Sequence, residues 1–222
     1  MNRIITLIFV STLLIVSMGG LSFAFDNGDP QFFSITNAGM KLNDKWKAQV
    51  SEELYWGDNM RTFYYQHTDL GLAYSGLPGG LVLSMNYRRI YSLSNNSWLV
   101  ENRPHLNATA NWKIADYSLS NRLRLEYRSR ESGGNSWRLR NRFNVAFPVK
   151  LTALGINPYL ADDVFYDLSG GGFNQNEFWA GVNFKLPIDI KCGIAYVMPS
   201  TKIGEGNWKN YNALATSVAV DF

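Results

Sequence analysis

From residue 26 onward the chain alternates between apolar and polar positions. The clearest stretch is 117–147. On its first arm Leu119, Leu123, Leu125 and Tyr127 fall on one face, and Arg122, Arg124, Glu126, Arg128 and Arg130 on the other. On its second arm Trp137, Leu139, Phe143, Val145 and Phe147 oppose Arg138, Arg140, Arg142 and Asn144. Successive side chains of a strand point to opposite faces, so this pattern predicts a β-hairpin with one apolar and one charged side. The same alternation predicts strands over 31–42, 46–56, 62–74, 80–92, 98–114, 117–130, 136–148, 156–167, 176–187, 188–199 and 208–222. Turn residues separate them, among them Gly57-Asp58-Asn59, Leu77-Pro78-Gly79-Gly80, Ser132-Gly133-Gly134-Asn135 and Gly204-Glu205-Gly206-Asn207. No helical period follows the first two dozen residues, and no linker divides the remainder. The expectation is one all-β domain over 25–222.

Two all-β architectures fit. A soluble barrel or sandwich turns its apolar faces inward; a transmembrane barrel turns them toward lipid and keeps polar groups in the lumen. Three features favour the second. Aromatic residues bracket the apolar faces, as with Trp46 and Trp56 or Trp137 and Phe147. Ten tilted strand residues cover roughly 25 Å of membrane normal, the height of a barrel's apolar band. The last strand ends on Phe222, with Leu214, Val218 and Val220 on the same face, which resembles the C-terminal assembly signal of bacterial outer-membrane barrels. The polar faces also carry too many arginines for a small soluble core. The expected fold is therefore an antiparallel up-and-down transmembrane β-barrel with an Arg-rich lumen. Eleven segments conflict with the even strand numbers of bacterial single-chain barrels, so the expected count is ten to twelve. Glu52 is a further conflict. It shares the face of Trp46, Ala48, Val50, Leu54 and Trp56, and a bulge or an inexact register would be needed to turn it inward.

Residues 1–24 carry a basic start at Arg3, an apolar run from Ile4 to Val16 and a small-x-small site at Ser22-Phe23-Ala24. These are the parts of a cleaved secretory signal peptide. Without Arg3 the chain keeps 20 basic residues (21 − 1) against 18 acidic ones, a net charge near +2. That balance gives no reason to expect nucleic acid as a partner. Cys192 is the single cysteine, so no internal disulfide can form.

The short connection at Ala115-Asp116 fixes one register. Pairing Ile114 with Tyr117 sets His105 opposite Glu126, Asn107 opposite Arg124, Thr109 opposite Arg122 and Arg103 opposite Arg128. The connection at 131–135 must keep both arginine faces inside, which places Glu126 opposite Arg140 or Arg142. Further inward acids are Glu101, Glu177 and one of Asp162 or Asp163. The expected lumen network is thus Arg103, His105, Arg122, Arg124, Glu126, Arg128, Arg138, Arg140, Arg142, Asp163 and Glu177. Guanidinium groups bind phosphate in bidentate fashion, so this wall suits an anion path or a phosphate site; an Arg–carboxylate network bracing a narrow lumen is the plainer reading.

Catalysis of the outer-membrane acyl-hydrolase type needs a serine, a histidine base and an orienting group in contact. His105 with Glu126 supplies a base and an orienter, but Ser118 and Ser120 lie too far along the strand. His67 has Asp69 on its face and Ser84 on the next strand. No zinc-ligand spacing, phosphate-binding glycine loop or nucleophile elbow is present, and no catalytic residue, metal or cofactor is assigned.

The runs Glu101-Asn102-Arg103-Pro104, Ser120 to Arg128, Trp137-Arg138-Leu139-Arg140 and Asn157-Pro158-Tyr159 with Asp162-Asp163 resemble the bacterial domain-of-unknown-function 2490 family. The likeness covers nearly all of 25–222, and the Asn-Arg-x-Arg-x-Glu-x-Arg core is its most specific part. The family often has His where Asn102 stands and Glu where Asp163 stands. The resemblance implies a Gram-negative outer-membrane barrel without an assigned activity. The expected partners are outer-membrane lipid and, during biogenesis, the barrel assembly machinery. The expected role is structural, or poor conduction of small solutes. The alternatives are a lipid-modifying enzyme, an anion-selective channel and a soluble periplasmic β protein.

Overall fold

A computed structural model of the chain describes residues 28–222 except 150, 153, 154, 187, 188 and 205. The proposed signal peptide, 1–24, lies outside the described residues. Twelve strand segments follow: β1 (Pro30–Lys41), β2 (Trp46–Gly57), β3 (Thr62–Tyr74), β4 (Leu81–Ser94), β5 (Ser97–Ile114), β6 (Tyr117–Arg130), β7 (Ser136–Ala146), β8 (Asn157–Asp167), β9 (Gly172–Lys185), β10 (Lys191–Ile203), β11 (Asn207–Asn210) and β12 (Asn212–Asp221). β11 and β12 form one wall strand. Their pairing with β10 keeps the same register across Tyr211, whose N–H donates to the Pro199 carbonyl at 2.9 Å. The wall is therefore a closed barrel of eleven strands.

Each wall strand pairs antiparallel with its sequence neighbour, and the ring closes by β1 against β12 in parallel. Parity requires this. In a meander with an odd number of strands the first and last run the same way, so the closing pair cannot be antiparallel. The count falls inside the expected ten to twelve, the first strand belongs to the wall, and the even-number rule is not followed. One rim carries the start of β1 and the connections 58–61, 95–96, 131–135, 168–171 and 204–206. The opposite rim carries the connections 42–45, 75–80, 115–116, 147–156 and 186–190, and Phe222.

Register fixes what faces in, because a one-residue slip would exchange the faces of a whole strand. Around the ring Phe33 pairs with Tyr55, Glu53 with His67, Asp69 with Arg88, Arg88 with Arg103, His105 with Glu126 and Arg124 with Arg140. On the far side Arg142 pairs with Asp163, Asp163 with Glu177, Trp179 with Val197 and Ala195 with Ala215. All of these point into the lumen. Its β8–β12 side is apolar, where Phe33, Ala161, Trp179, Ala195, Val197, Ala213 and Ala215 pack together. Small residues make the room there. A Cβ on Gly181 would lie 2.8 Å from the Tyr159 ring.

The outer face is largely apolar and exposed, apart from a polar row across β1–β5 and a packed patch where Ile190, Cys192, Val218 and Val220 meet. Leu70, Met85, Leu106, Leu123 and Ile194 are 57, 60, 60, 44 and 41 % exposed. Aromatic contacts gird it near each rim: Phe32–Trp56–Phe63–Trp98, Tyr127–Trp137 and Phe173–Trp208 near the first, Trp46–Tyr74 and Tyr117–Phe147 near the second.

Several expectations are corrected. Glu126 lies opposite Arg138, not Arg140 or Arg142. The reason is that β6 runs beyond β7, where Glu131 N–H bonds back to Val100 on β5 and Arg130 bonds into the 134–136 turn. Glu52 needs neither bulge nor slip: it faces outward. The register irregularity of β2 lies beyond it at Tyr55/Trp56, and Thr68 and Gln66 on the same outer face donate to it at 2.5 and 2.9 Å. Of the adjacent aspartates, Asp163 points inward, and Asp162 accepts from Asn176 at 2.8 Å on the outer face. On β12, Leu214, Val218 and Val220 take the outer face. Phe222, half-exposed, is tied to β1 through Gly39 and Lys41.

Candidate functional site: an arginine-lined interior

The strand register brings the arginines of β4 to β7 onto one continuous inner wall. Arg138, directly across from Glu126, donates Nε to its carboxylate at 2.8 Å. Arg124 Nη1 and Arg103 Nη1 lie 3.4 and 3.6 Å from the same carboxylate, which has no solvent exposure. Asp163 gathers a second group. Arg140 donates Nε at 2.7 Å and Nη2 at 2.5 Å, while Arg142 and Arg122 approach at 3.4 and 3.6 Å. Glu177 stands 3.7 Å from Arg140 and accepts from Gln175 at 2.9 Å. Glu101 forms a third group, binding Arg128 through Nε and Nη2 at 2.8 and 2.9 Å and Arg103 at 2.7 Å.

Of the acids, Glu101 sits on β5 within the wall, and Asp163 on β8 and Glu177 on β9 lie beside it. Two further inward charged residues were missed: Glu53 on β2, beside His67 and hydrogen-bonded by the Tyr55 hydroxyl, and Arg88 on β4, bound to Asp69 at 2.8 Å. Asp69 was noticed only as a neighbour of His67. The signal for Arg88 was its alternation with Ser84 and Asn86, blurred by the adjacent Arg89. That for Glu53 was blurred in the same way by Glu52.

His105 stands opposite Glu126 in the ladder, yet its ring turns elsewhere. Nε2 lies 3.5 Å from Asp69 and Nδ1 3.2 Å from the Arg103 carbonyl. His67 places Nδ1 3.1 Å from the Tyr65 hydroxyl and Nε2 3.5 Å from Glu53. Ser84, on the neighbouring strand, bonds to Asn86 and Asn107 instead. Among the described residues no serine is within hydrogen-bond reach of either ring, and no group of three or more acids, histidines or cysteines has the geometry of a metal site.

Among the described residues, two cavities stand out in the lumen. One, of about 590 Å³, extends toward the rim of the 58–61 and 95–96 turns; it is lined by arginines on one side and by Phe33, Tyr55, Tyr64, Tyr65 and Trp179 on the other. The second, of about 480 Å³, extends toward the opposite rim and is lined by Lys47, Asp69, Asn86, Asn107, Lys191 and Asp221 among others. Glu53, Arg88, Arg122 and Arg124 line both, so these four side chains form the partition. Barrels of this girth enclose ligand cavities when their side chains leave room.

A family model described as "Protein of unknown function (DUF2490)" matches residues 31–210. No curated protein matches the chain.

Proposed function

The chain belongs to the family described as Protein of unknown function (DUF2490), and from that footing we propose that it is a bacterial outer-membrane β-barrel whose interior is braced shut. The observation that carries this reading is an inverted distribution of polarity. Most charged residues of the strands are inside, with Glu52, Arg89 and Asp162 among the exceptions, and Met85 and Leu106, each 60 % exposed, stand outside among many other large apolar side chains. Water does not tolerate an apolar surface of that extent on a monomer, whereas lipid solvates it. The aromatic contacts near both rims support the same assignment, since aromatic side chains concentrate where a barrel's apolar band meets the headgroups.

The partners are then outer-membrane lipid around the wall and the barrel assembly machinery during insertion, with Leu214, Val218, Val220 and Phe222 as the assembly signal. Residues 1–24 act as the export signal, removed after Ala24. The role within the membrane is structural, or poorly conducting, because most of the arginines are bound to carboxylates and the two cavities meet at a charged partition. An anion-selective channel is the second reading, favoured by the excess of arginine over acid at the larger cavity. It requires that the cavities communicate past Glu53, Arg88, Arg122 and Arg124. The third, a lipid-modifying enzyme, lacks a serine at either histidine among the described residues.

Cell fractionation with mass spectrometry of the intact chain tests the proposal. The expected result is an outer-membrane fraction holding a chain that begins at Phe25, with heat-dependent electrophoretic mobility. Recovery in the soluble periplasm would overturn it.

A further inference from the structure

The arginines facing the larger cavity are not equivalent. Most are committed to a carboxylate, or in the case of Arg124 to Asn107 at 2.6 Å. Arg122 and Arg142 are held only loosely. Arg122 comes no nearer to Asp163 than 3.6 Å, through Nη2, and its Nε is buried without a hydrogen-bond partner. Arg142 donates Nη1 to the same Asp163 oxygen at a long 3.4 Å, and its guanidinium lies over the Trp179 ring, 4.5 Å from the centroid. These two side chains keep 29 and 23 % exposure, against 6 % for Arg124 and Arg138. Trp179 itself is 6 % exposed, and its Nε1 is buried without an acceptor. All three residues line the larger cavity.

Every unsatisfied group at this corner is therefore a donor. A buried donor left unpaired costs free energy, and an anion is the partner that satisfies several donors at once. Two carboxylates stand near: Asp163 is already shared among Arg122, Arg140 and Arg142, and Glu177 lies 3.7 Å from Arg140 and accepts from Gln175.

We propose that the corner formed by Arg122, Arg142 and Trp179 is a binding site for the phosphate group of a small, water-soluble phosphorylated molecule. A phosphate brings up to two charges and three strong acceptor oxygens, which match two guanidinium groups and an indole N–H better than the single charge of a carboxylate does. A cavity of about 590 Å³ is the size of a small-molecule site rather than of a bare ion, so the phosphate is carried on a larger body. Every wall strand is hydrogen-bonded to both neighbours, so the barrel has no lateral opening for a membrane lipid, and the ligand enters from the aqueous rim. The inference rests on the proposed barrel reading only for that route of entry.

Calorimetric titration of the purified, folded full-length barrel in detergent tests the site. The probes are glucose 6-phosphate, inorganic phosphate, glucose and acetate. Glucose 6-phosphate is expected to bind at one site and to be displaced by inorganic phosphate, while glucose gives no heat. Arg122→Gln is expected to weaken binding about tenfold or more, as loss of a charged hydrogen-bond donor does. Trp179→Phe, which keeps the ring and removes the N–H, is expected to weaken it by several-fold and guards against a folding defect in the arginine variant. Arg89→Gln, on the outer face, is expected to change nothing. Absence of binding by both phosphates at millimolar concentration overturns the proposal. So does acetate binding as tightly as phosphate, or unchanged affinity in both Arg122→Gln and Trp179→Phe. Failure of the membrane reading is seen separately, in the fractionation, and leaves this titration unaffected.

Discussion

Arg138 and Glu126 stand directly opposite each other on β7 and β6, with Nε and Nη2 of the arginine 2.8 and 2.7 Å from one oxygen of the carboxylate. The pair is buried, with Glu126 fully so, and Arg103 and Arg124 lean on the same acid. One carboxylate thus offsets three guanidinium groups, whereas Arg103 also binds Glu101, Arg124 also binds Asn107 and Arg138 lies over the Phe165 ring.

That asymmetry ranks the variants. Removing Glu126 leaves several buried cations facing one another; removing one arginine leaves the acid still paired. Glu126→Gln is expected to destabilise the folded barrel by roughly 3–5 kcal/mol, the usual cost of breaking a buried ion pair from one side. Arg103→Gln, Arg124→Gln and Arg138→Gln should each cost less. Urea unfolding in lipid vesicles measures the order, and any of these arginine variants proving worse than Glu126→Gln would refute it.

The outer face yields a depth-dependent test. Leu123 lies outward at the centre of β6, and Trp137 lies outward near a rim. Leu123→Arg is expected to cost about 2–4 kcal/mol of insertion free energy, and Trp137→Arg no more than about 1, because a charge at the bilayer midplane has no water within reach. Equal costs measured by vesicle refolding would mean that this face does not meet lipid.

Much of this fold was readable because alternation is a local property. The segments read at 62–74 and 117–130 coincide with β3 and β6. The β5–β6 register was readable because Ala115-Asp116 allows only one tight turn, with Ala115 at φ 49°. The β6–β7 offset was not. Gly133 and Gly134, at φ 88° and 75°, permit several geometries, and only the contacts of Arg130 select among them. Like-charged neighbours also hid the pattern: in Glu52-Glu53, Arg88-Arg89 and Asp162-Asp163 one member faces in and the other out. The ring direction of His105 depends on side-chain torsion, which register does not set. The cavities depend on the summed volumes of side chains from distant strands, and no single stretch of sequence carries that sum.

The Glu52-Glu53 pair makes a prediction of its own. Glu52 sits on the outer face in a polar row, with Thr36, Thr68, Arg89 and Asn102 at successive cross-strand positions. Its partners Thr68 and Gln66 are neutral, so a carboxylate there is poorly compensated in lipid. Glu52→Leu is expected to leave stability unchanged within about 1 kcal/mol or to raise it, since an apolar residue suits that face. Glu53→Leu, one position along, removes the partner of His67 and Tyr55 inside the lumen and is expected to destabilise. Thermal unfolding of the two variants in the same detergent decides the matter; the opposite order would exchange the assigned faces of β2.

The partition between the cavities governs conduction. Glu53, Arg88, Arg122 and Arg124 are shared by both cavities, and three of them are held: Arg88 by Asp69 at 2.8 Å, Arg124 by Asn107 at 2.6 Å and Glu53 by the Tyr55 hydroxyl. Side chains anchored in this way do not swing aside readily, because moving one leaves a buried polar group unpaired. The unmodified barrel in a planar bilayer is therefore expected to show no large, steady conductance. Arg124→Ala removes one held side chain from the partition while Arg88 and Arg122 keep it positive, so small, anion-preferring steps should appear. Silence in both proteins would place the block in more than this partition. Large, steady currents from the unmodified protein would remove the braced interior altogether and put the anion-selective channel in its place.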